Sequence, residues 1–235
     1  MKLRTVLAVA TLPMLAMPAT AWADEGGEEQ AKALEISAEI GMLSDYRFRG
    51  LSLSGKDFET TASLSLEHES GLYANVWLSN VDLGWGKADD LEADWTIGYS
   101  KDVGGITLDG GVIYYSYLGN KDLNYFEGFA SVGTQVGPAE VKLGVAYAPS
   151  QNNIGNRDNT YVYVAGDLPV SEKLSVHGTF GFEDGAFGNK KKDWGIGASY
   201  ELVPGLTLGA DYIDTAHALT PMGDATFVAS IKYGF

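Results

Sequence analysis

The sequence predicts an all-β protein, an antiparallel barrel of about twelve strands, and three features of the chain lead to this prediction. From residue 34 onward, apolar residues alternate with polar or small residues, which is the period of a β-strand. The links between these segments alternate strictly between short and long. The chain ends on an alternating segment closed by an aromatic residue, Phe235. Together these features predict a transmembrane barrel with periplasmic N and C termini, short periplasmic turns and longer outer loops.

The N-terminal residues carry the features of a secretory signal peptide. Lys2 and Arg4 precede an apolar run that ends in the small-residue cleavage pattern Ala21-Trp22-Ala23. The alternative is a retained N-terminal helix. We therefore expect a signal peptide at 1–23, a polar periplasmic leader at 24–33 and an outer-membrane β-barrel at 34–235.

Each predicted strand has two different faces. In the strand predicted at 91–101, Trp95 and Ile97 share one side, while Glu92 and Asp94 share the other. In a soluble sandwich the apolar side would be a core, whereas in a closed barrel it contacts lipid and every backbone polar group is still paired. The predicted strands are 34–48, 58–68, 71–80, 91–101, 106–117, 123–136, 139–148, 159–168, 173–183, 193–203, 206–216 and 225–235.

The last strand is expected to close the barrel against the first. Its terminal Phe235 resembles the C-terminal signature by which the barrel-assembly machinery recognises outer-membrane proteins. The alternative is an ordinary edge strand, but an open apolar edge invites aggregation. Closure is therefore the preferred interpretation.

Composition excludes several classes of protein. The formal net charge is −15, and removal of a signal peptide with two basic residues and no acid takes it to −17. Such an acidic chain is not expected to bind nucleic acid. The chain has no cysteine, so disulfides and thiolate metal sites are impossible. After the signal peptide no apolar run approaches the roughly 18 residues of a membrane helix.

Five segments, in order along the chain, resemble a known family. The segments are SDYRFRGLSLS (44–54), SNVDLGWG (79–86), LEADWTIGY (91–99), GVIYYSYLG (111–119) and NYFEGFASVG (124–133). They resemble the TorF-type porins of proteobacteria, a conserved outer-membrane family of unknown function. The resemblance extends from about Ser37 to Phe235. It implies a porin and leaves the solute unspecified.

The inward sides of the strands, assigned by parity, predict an acidic lumen. A confined lumen of one sign concentrates counter-ions, so we expect a preference for cations or cationic small solutes. The inward bases are Arg47, Arg49, Lys142 and Lys232. The inward acids are Glu35, Glu39, Asp45, Glu59, Glu67, Glu92, Asp94, Asp109, Glu127, Glu140, Asp167, Glu183, Asp193, Glu201 and Asp211.

Six of these residues are expected to meet at the outer mouth. Arg47 and Arg49 end the first predicted strand, and four acids begin later strands on the same side of the membrane. The arrangement is either a selectivity constriction or a static ion-pair network that braces a narrow barrel, because buried charges must be paired in either case. The candidate pore-lining residues are Arg47, Arg49, Glu59, Glu92, Asp94 and Glu127.

Enzyme motifs are not found. The chain lacks an H-E-x-x-H helix, a G-x-S-x-G elbow and a P-loop, so no catalytic residue, metal ligand or cofactor is predicted. The basic run 190–192 is expected either to contact lipopolysaccharide phosphates or to be solvated. Aromatic residues, Tyr46 and Phe48 among them, are expected to form girdles at the membrane interface.

The sequence therefore predicts an outer-membrane porin for passive diffusion of small hydrophilic solutes or ions. The alternative is a non-conducting structural or surface-interaction barrel. Outer-membrane lipid and lipopolysaccharide are the expected surroundings. The sequence leaves the oligomeric state open.

Overall fold

A computed structural model of the chain describes residues 34–82 and 90–235, and these residues form a closed antiparallel β-barrel. The predicted signal peptide, the predicted leader and most of the second long link lie outside the described residues. The strands are β1 (Leu34–Leu43), β2 (Arg47–Phe48), β3 (Leu51–Ser52), β4 (Glu59–His68), β5 (Leu72–Val81), β6 (Asp90–Val103), β7 (Ile106–Tyr117), β8 (Tyr125–Val136), β9 (Ala139–Gln151), β10 (Arg157–Pro169), β11 (Leu174–Gly185), β12 (Lys191–Val203), β13 (Leu206–Ala216) and β14 (Thr226–Gly234).

Twelve of these strands close the barrel, each paired with its neighbours in chain order, while β2 and β3 form a separate hairpin. The predicted antiparallel barrel and its strand number are confirmed, and the periplasmic position of the two termini stays a prediction. In the described parts of the longer links there are three single-turn 3₁₀ helices, at Lys121–Leu123, Asn152–Ile154 and Pro221–Gly223. Among the described residues, no helix is long and apolar enough to cross a membrane.

The connections between barrel strands sort by length to the two ends of the barrel, as the sequence predicts. Tight turns occupy one end, which we call the short-turn end, and Gly71 and Gly205 adopt positive φ there (97° and 81°), a conformation that glycine tolerates best. The other end, which we call the long-loop end, carries the longer links. The exception to the predicted boundaries is the first strand, because β1 ends at Leu43 instead of continuing to residue 48.

The outer surface of the barrel is apolar. Ile97, Ile196 and Phe227 are 69%, 61% and 79% exposed, and they belong to a large set of exposed aliphatic and aromatic side chains that surrounds the barrel. A surface of this kind is far larger than the apolar patches of soluble proteins and matches the lipid-facing band of membrane barrels. The predicted outward sides of the strands are therefore correct.

Pairing of β1 with β14 closes the barrel. The register aligns Glu39 with Gly234 and Leu43 with Ser230. Beyond β14, Phe235 and Ala38 exchange two backbone hydrogen bonds of 2.9 Å each. The last residue therefore takes part in the seam, and no strand edge remains open there.

Two tyrosines of the inner wall lie flat on glycines of neighbouring strands. The ring of Tyr73 covers Gly98, and the ring of Tyr163 covers Gly144, so that a Cβ atom at either glycine would overlap the ring. Because the glycines have no side chain, the two tyrosine rings can lie against the wall instead of extending across the lumen.

Candidate functional site

The first long link, residues 44–58, folds into the barrel instead of standing outside it. We call this segment loop 1, and it contains the β2–β3 hairpin. Although loop 1 connects β1 to β4, its residue Arg49 contacts Glu127 of β8, Tyr161 of β10 and Glu183 of β11. These strands lie on the opposite side of the closed ring. Loop 1 therefore crosses the lumen near the long-loop end.

Arg49 attaches the tip of loop 1 to the far wall. Its Nη1 lies 2.9 Å from Glu183 Oε1, its Nη2 pairs with Glu127, and its guanidinium carbon lies 4.5 Å from the centroid of the Tyr161 ring. Two carboxylates and an aromatic face are typical partners for a buried guanidinium. The Arg49 backbone has φ of 48°, a left-handed turn conformation that directs the side chain away from the β2–β3 ladder.

Lys191 at the start of β12 completes this anchor. Its Nζ lies 2.6 Å from Glu183 Oε2 and donates a hydrogen bond of 2.6 Å to the backbone oxygen of Arg49. Asn159 Nδ2 donates to the other oxygen of Glu183 at 2.9 Å. Glu183 therefore receives two cations and an amide donor, which offsets the cost of burying its charge.

Arg47 holds the base of the hairpin and does not reach the wall acids. Its Nε lies 2.6 Å from Asp45 Oδ2, and its Nη1 donates to the backbone oxygens of Gly50, Met222 and Asp224 at 3.2, 2.8 and 3.0 Å. The last two residues belong to the sixth long link. Arg47 therefore joins loop 1 to a second external loop.

Three buried carboxylates form a separate group on the near wall. Glu59 of β4, Glu92 and Asp94 of β6 are 0%, 1% and 1% exposed. Ser79 donates to Glu59, and the hydroxyl of Tyr117 donates to Glu92 at 2.7 Å. Within residues 34–82 and 90–235, none of the three carboxylates forms an ion pair with Lys or Arg.

Aromatic side chains pack loop 1 against the wall. Tyr46 lies 5.2 Å from Trp77 between ring centroids, Phe48 lies 5.8 Å from Tyr115, and Tyr115 stacks on Tyr125 at 4.5 Å. The prediction that Tyr46 and Phe48 belong to the membrane-interface girdle is therefore wrong. Both residues follow the end of β1 and enter the lumen with loop 1.

The six candidate residues all lie buried at the long-loop end, but they separate into three groups. Arg49 and Glu127 form a pair across the lumen, Arg47 turns to Asp45 and to loop backbone, and Glu59, Glu92 and Asp94 stay together without a guanidinium. The prediction that the two arginines end the first strand is wrong, because β1 leaves the wall at Leu43. A guanidinium on a loop reaches further across the barrel than one fixed to the wall.

Sequence reasoning misses the partners that complete the anchor. It places Glu183 among the inward acids but not in the constriction, and it treats Lys191 only as part of a basic run. The alternation of inward and outward positions along β12 could have identified Lys191 as a lumen residue. Lys191 shares the inward side of β12 with Asp193, whereas Lys192 faces outward and is exposed. In the basic run 190–192, Lys190 and Lys192 are exposed and Lys191 is buried.

Between loop 1 and the short-turn end the inner wall keeps charged side chains. His177 Nε2 lies 2.6 Å from Asp211 Oδ1, and the hydroxyl of Tyr73 donates to Asp109 at 2.9 Å. A cavity of about 20 Å³, room for roughly one water molecule, lies beside Arg49 and is lined in part by Tyr161, Tyr163 and Asp193. No group of three or more His, Asp or Glu side chains in the described part of the chain is placed to hold a metal ion.

A closed antiparallel barrel with an even strand number, an apolar exterior and a polar interior defines the class of outer-membrane-type β-barrels. Within that class the chain belongs to the Gcw_chp family, described as a bacterial protein of unknown function, whose family profile matches residues 27–235. The family membership agrees with the resemblance to a family of unknown function, and the TorF-type name stays a prediction. A search of curated proteins found no match.

Solved porins share the fold. The KdgM porin in complex with disordered oligogalacturonate superposes with a TM-score of 0.60 at 10% identity, covering 85% of this chain and 98% of that one. The NanC porin superposes with a TM-score of 0.52 at 11% identity, with the same coverage of both chains. At these identities the similarity establishes a common barrel architecture.

Proposed function

We propose that this protein is an outer-membrane channel for passive diffusion of small hydrophilic solutes or ions, and that it prefers cations. The observation that supports the proposal best is the acidic inner wall between loop 1 and the short-turn end. The acids on the inward sides of the strands there include Glu35, Glu39, Glu67, Asp109, Glu140, Asp167, Glu201 and Asp211, against Lys142, Lys232 and His177.

This charge distribution favours cationic over anionic solutes. Lys232 lies 3.6 Å from Glu39 and compensates part of its charge, and His177 lies 2.6 Å from Asp211. Within residues 34–82 and 90–235, the other carboxylates of this wall have no basic partner within ion-pair distance. A narrow lumen with low-dielectric walls strengthens the field of such an excess and enriches cations. Oligogalacturonate, the ligand of the KdgM porin structure, carries carboxylates, so an acidic lumen disfavours that class of ligand here.

Loop 1 would limit the conductance of this channel. It crosses the lumen at the long-loop end, and Arg49 holds it against the opposite wall. Solutes would pass only the space that loop 1 leaves or the space that opens when it moves. In this proposal the constriction of the channel is loop 1, anchored by Arg49. The long-loop end of the barrel faces the outside of the cell.

Planar-bilayer recordings of refolded full-length protein test the proposal. We expect single-channel current and, in a salt gradient, a reversal potential of the sign that indicates cation flux. Neutralising Glu67 and Glu140, two acids near the short-turn end, with Gln should reduce this potential. Anion preference, or a potential that the double variant leaves unchanged, would contradict the role of the acidic wall.

A non-conducting barrel is the second candidate, and the filling of the lumen by loop 1 favours it. Under that function loop 1 braces the barrel, and the bilayer recordings show no current in the wild type. The variant Arg49→Ala distinguishes the two functions. If it is folded and conducts no current either, the protein is a structural or surface-interaction barrel.

A further inference from the structure

The carboxylates of Glu59, Glu92 and Asp94 are buried without the partners that ionised groups need. Each has one oxygen that is inaccessible to solvent and forms no hydrogen bond, namely Glu59 Oε2, Glu92 Oε2 and Asp94 Oδ1. The hydroxyl of Tyr46 on loop 1 lies buried beside this group. Three buried carboxylate oxygens therefore have no hydrogen-bond donor.

Among residues 34–82 and 90–235, the groups that surround the three carboxylates do not supply the missing positive charge. Arg49 is engaged by Glu127 and Glu183 on the far side, and Lys232 is partly exposed and lies 3.6 Å from Glu39. The other titratable neighbours in the described part of the chain are acids and phenols. The titratable and charged groups that face the carboxylates are Asp45 and Tyr46 of loop 1, Tyr115 and Tyr117 of β7, Tyr125 and Glu127 of β8, and Lys232 of β14.

Removing several carboxylates from water without a counter-charge favours their neutral form, because desolvation and mutual repulsion both act against ionisation. A neutral carboxylic acid is also a hydrogen-bond donor, so protonation supplies a donor where a carboxylate oxygen has none. We propose that Glu59, Glu92 and Asp94 form a proton-binding site that gates loop 1: protons bound there hold the near side of loop 1 against the wall, and their loss releases that side. The effect on conduction rests on the proposed channel function, whereas the movement of loop 1 does not.

The direction of the pH dependence follows from the charges. As the pH rises, the carboxylic acids give their protons to water and become carboxylates that repel one another beneath Tyr46. Water must then enter to solvate them, and the near side of loop 1 leaves the wall. The ion pairs of Arg49 persist over this pH range because Glu127 and Glu183 already have cationic partners. The near side of loop 1 is therefore packed against the wall at low pH and leaves it at high pH, while Arg49 keeps the tip of loop 1 on the far wall.

The absence of native cysteine makes this movement measurable. Ser54 of loop 1 is buried, so the only thiol of a Ser54→Cys variant reacts slowly while the near side of loop 1 is packed against the wall. Lys121→Cys, exposed on another link at the same end, is the control for the pH dependence of the thiol itself. We divide the labelling rate of the Ser54→Cys variant by that of the Lys121→Cys variant. From about pH 6 to pH 9 we expect this ratio to rise about tenfold or more.

The triple change Glu59→Gln, Glu92→Gln and Asp94→Asn should make the ratio independent of pH. A flat ratio in the otherwise wild-type protein, or an equal rise in the triple variant, overturns the gate. Should Ser54→Cys fail to fold, the infrared carbonyl band of protonated carboxyl groups gives a second readout. It should be present in the wild type at low pH, disappear on alkalinisation and be weaker in the triple variant, and a band that the triple change leaves intact overturns the proton site.

Bilayer current measured over the same pH range separates this inference from the channel function. If labelling rises with pH while no current flows at any pH, the gate stands and the channel function fails. If current flows and neither current nor labelling depends on pH, the channel function stands and the gate fails.

Discussion

Arg49 and Glu183 form an ion pair across the barrel lumen, with 2.9 Å between Nη1 and Oε1, although 134 positions separate them in the sequence. Arg49 belongs to loop 1 and Glu183 to β11, and both side chains are almost completely buried. Breaking the pair leaves a charge in a place that water does not reach, which costs more than the pair itself contributes. This single contact therefore links the position of loop 1 to the stability of the barrel.

Replacing Arg49 with Ala should destabilise the barrel and enlarge the conducting path. Glu127 would lose its cationic partner and Glu183 one of two, so we expect the free energy of unfolding to fall by about 3–5 kcal/mol. Loss of the side chain also frees the tip of loop 1, so the single-channel current should increase. Urea unfolding in detergent micelles and bilayer recordings measure the two effects.

Lys56→Ala is the matched control for Arg49→Ala. Lys56 also belongs to loop 1 and pairs with Asp224 at 3.2 Å, but both side chains are substantially exposed. Exposed pairs contribute about 0–1 kcal/mol. If Lys56→Ala changed stability and current as much as Arg49→Ala does, the buried anchor would have no special role.

Lys191 and Lys192 should behave differently despite being adjacent. Lys191→Met removes the Nζ contacts to Glu183 and to the Arg49 backbone oxygen, so we expect a loss of about 3 kcal/mol or more in unfolding free energy and a more mobile loop 1. Lys192→Met changes an outward, exposed side chain and should have little effect. Chemical denaturation and limited proteolysis of loop 1 check this contrast, and equal effects would rule it out.

Gly144→Ala should destabilise the barrel because the new Cβ would overlap the ring of Tyr163. Overpacking of this kind typically costs about 1–3 kcal/mol. Gly133→Ala is the control on the same wall, since the nearest atoms to its Cβ would lie 3.8 and 3.9 Å away. Thermal denaturation followed by circular dichroism compares the two variants. A Gly144→Ala protein as stable as Gly133→Ala would show that the ring moves away at no cost.

The barrel was predictable from the sequence because each strand has a strict period of two and the turns sort by length. Both signals are local, and the outward positions of Trp95 and Ile97 and the inward positions of Glu92 and Asp94 follow directly from them. The boundaries of most strands were also within a few residues. Because one face of each barrel strand contacts lipid and the other faces the lumen, the alternation of apolar and polar residues cannot vary much.

The fold of loop 1 was not predictable because its alternation continues that of β1. Tyr46 and Phe48 return to the apolar positions of the strand, so the single interruption at Leu43 and Ser44 does not mark the end of β1. What removes the segment from the wall is a set of distant partners, above all Glu183 and Lys191 for Arg49. Contacts across a lumen depend on which strands lie opposite each other in the closed barrel. The alternation of apolar and polar residues along the sequence does not specify this.

Deletion of Phe235 should impair folding both in vitro and in cells, whereas Phe235→Ala should impair only assembly in cells. The deletion removes two backbone hydrogen bonds with Ala38 at the seam, each contributing about 0.5–1.5 kcal/mol, while Phe235→Ala retains them. The aromatic ring itself is 64% exposed, so its loss should change the stability of the folded barrel little. Yield of folded protein after refolding in detergent, compared with the amount recovered in outer-membrane fractions, separates the two effects. If Phe235→Ala assembles in cells as well as the wild type does, the assembly machinery does not depend on this ring.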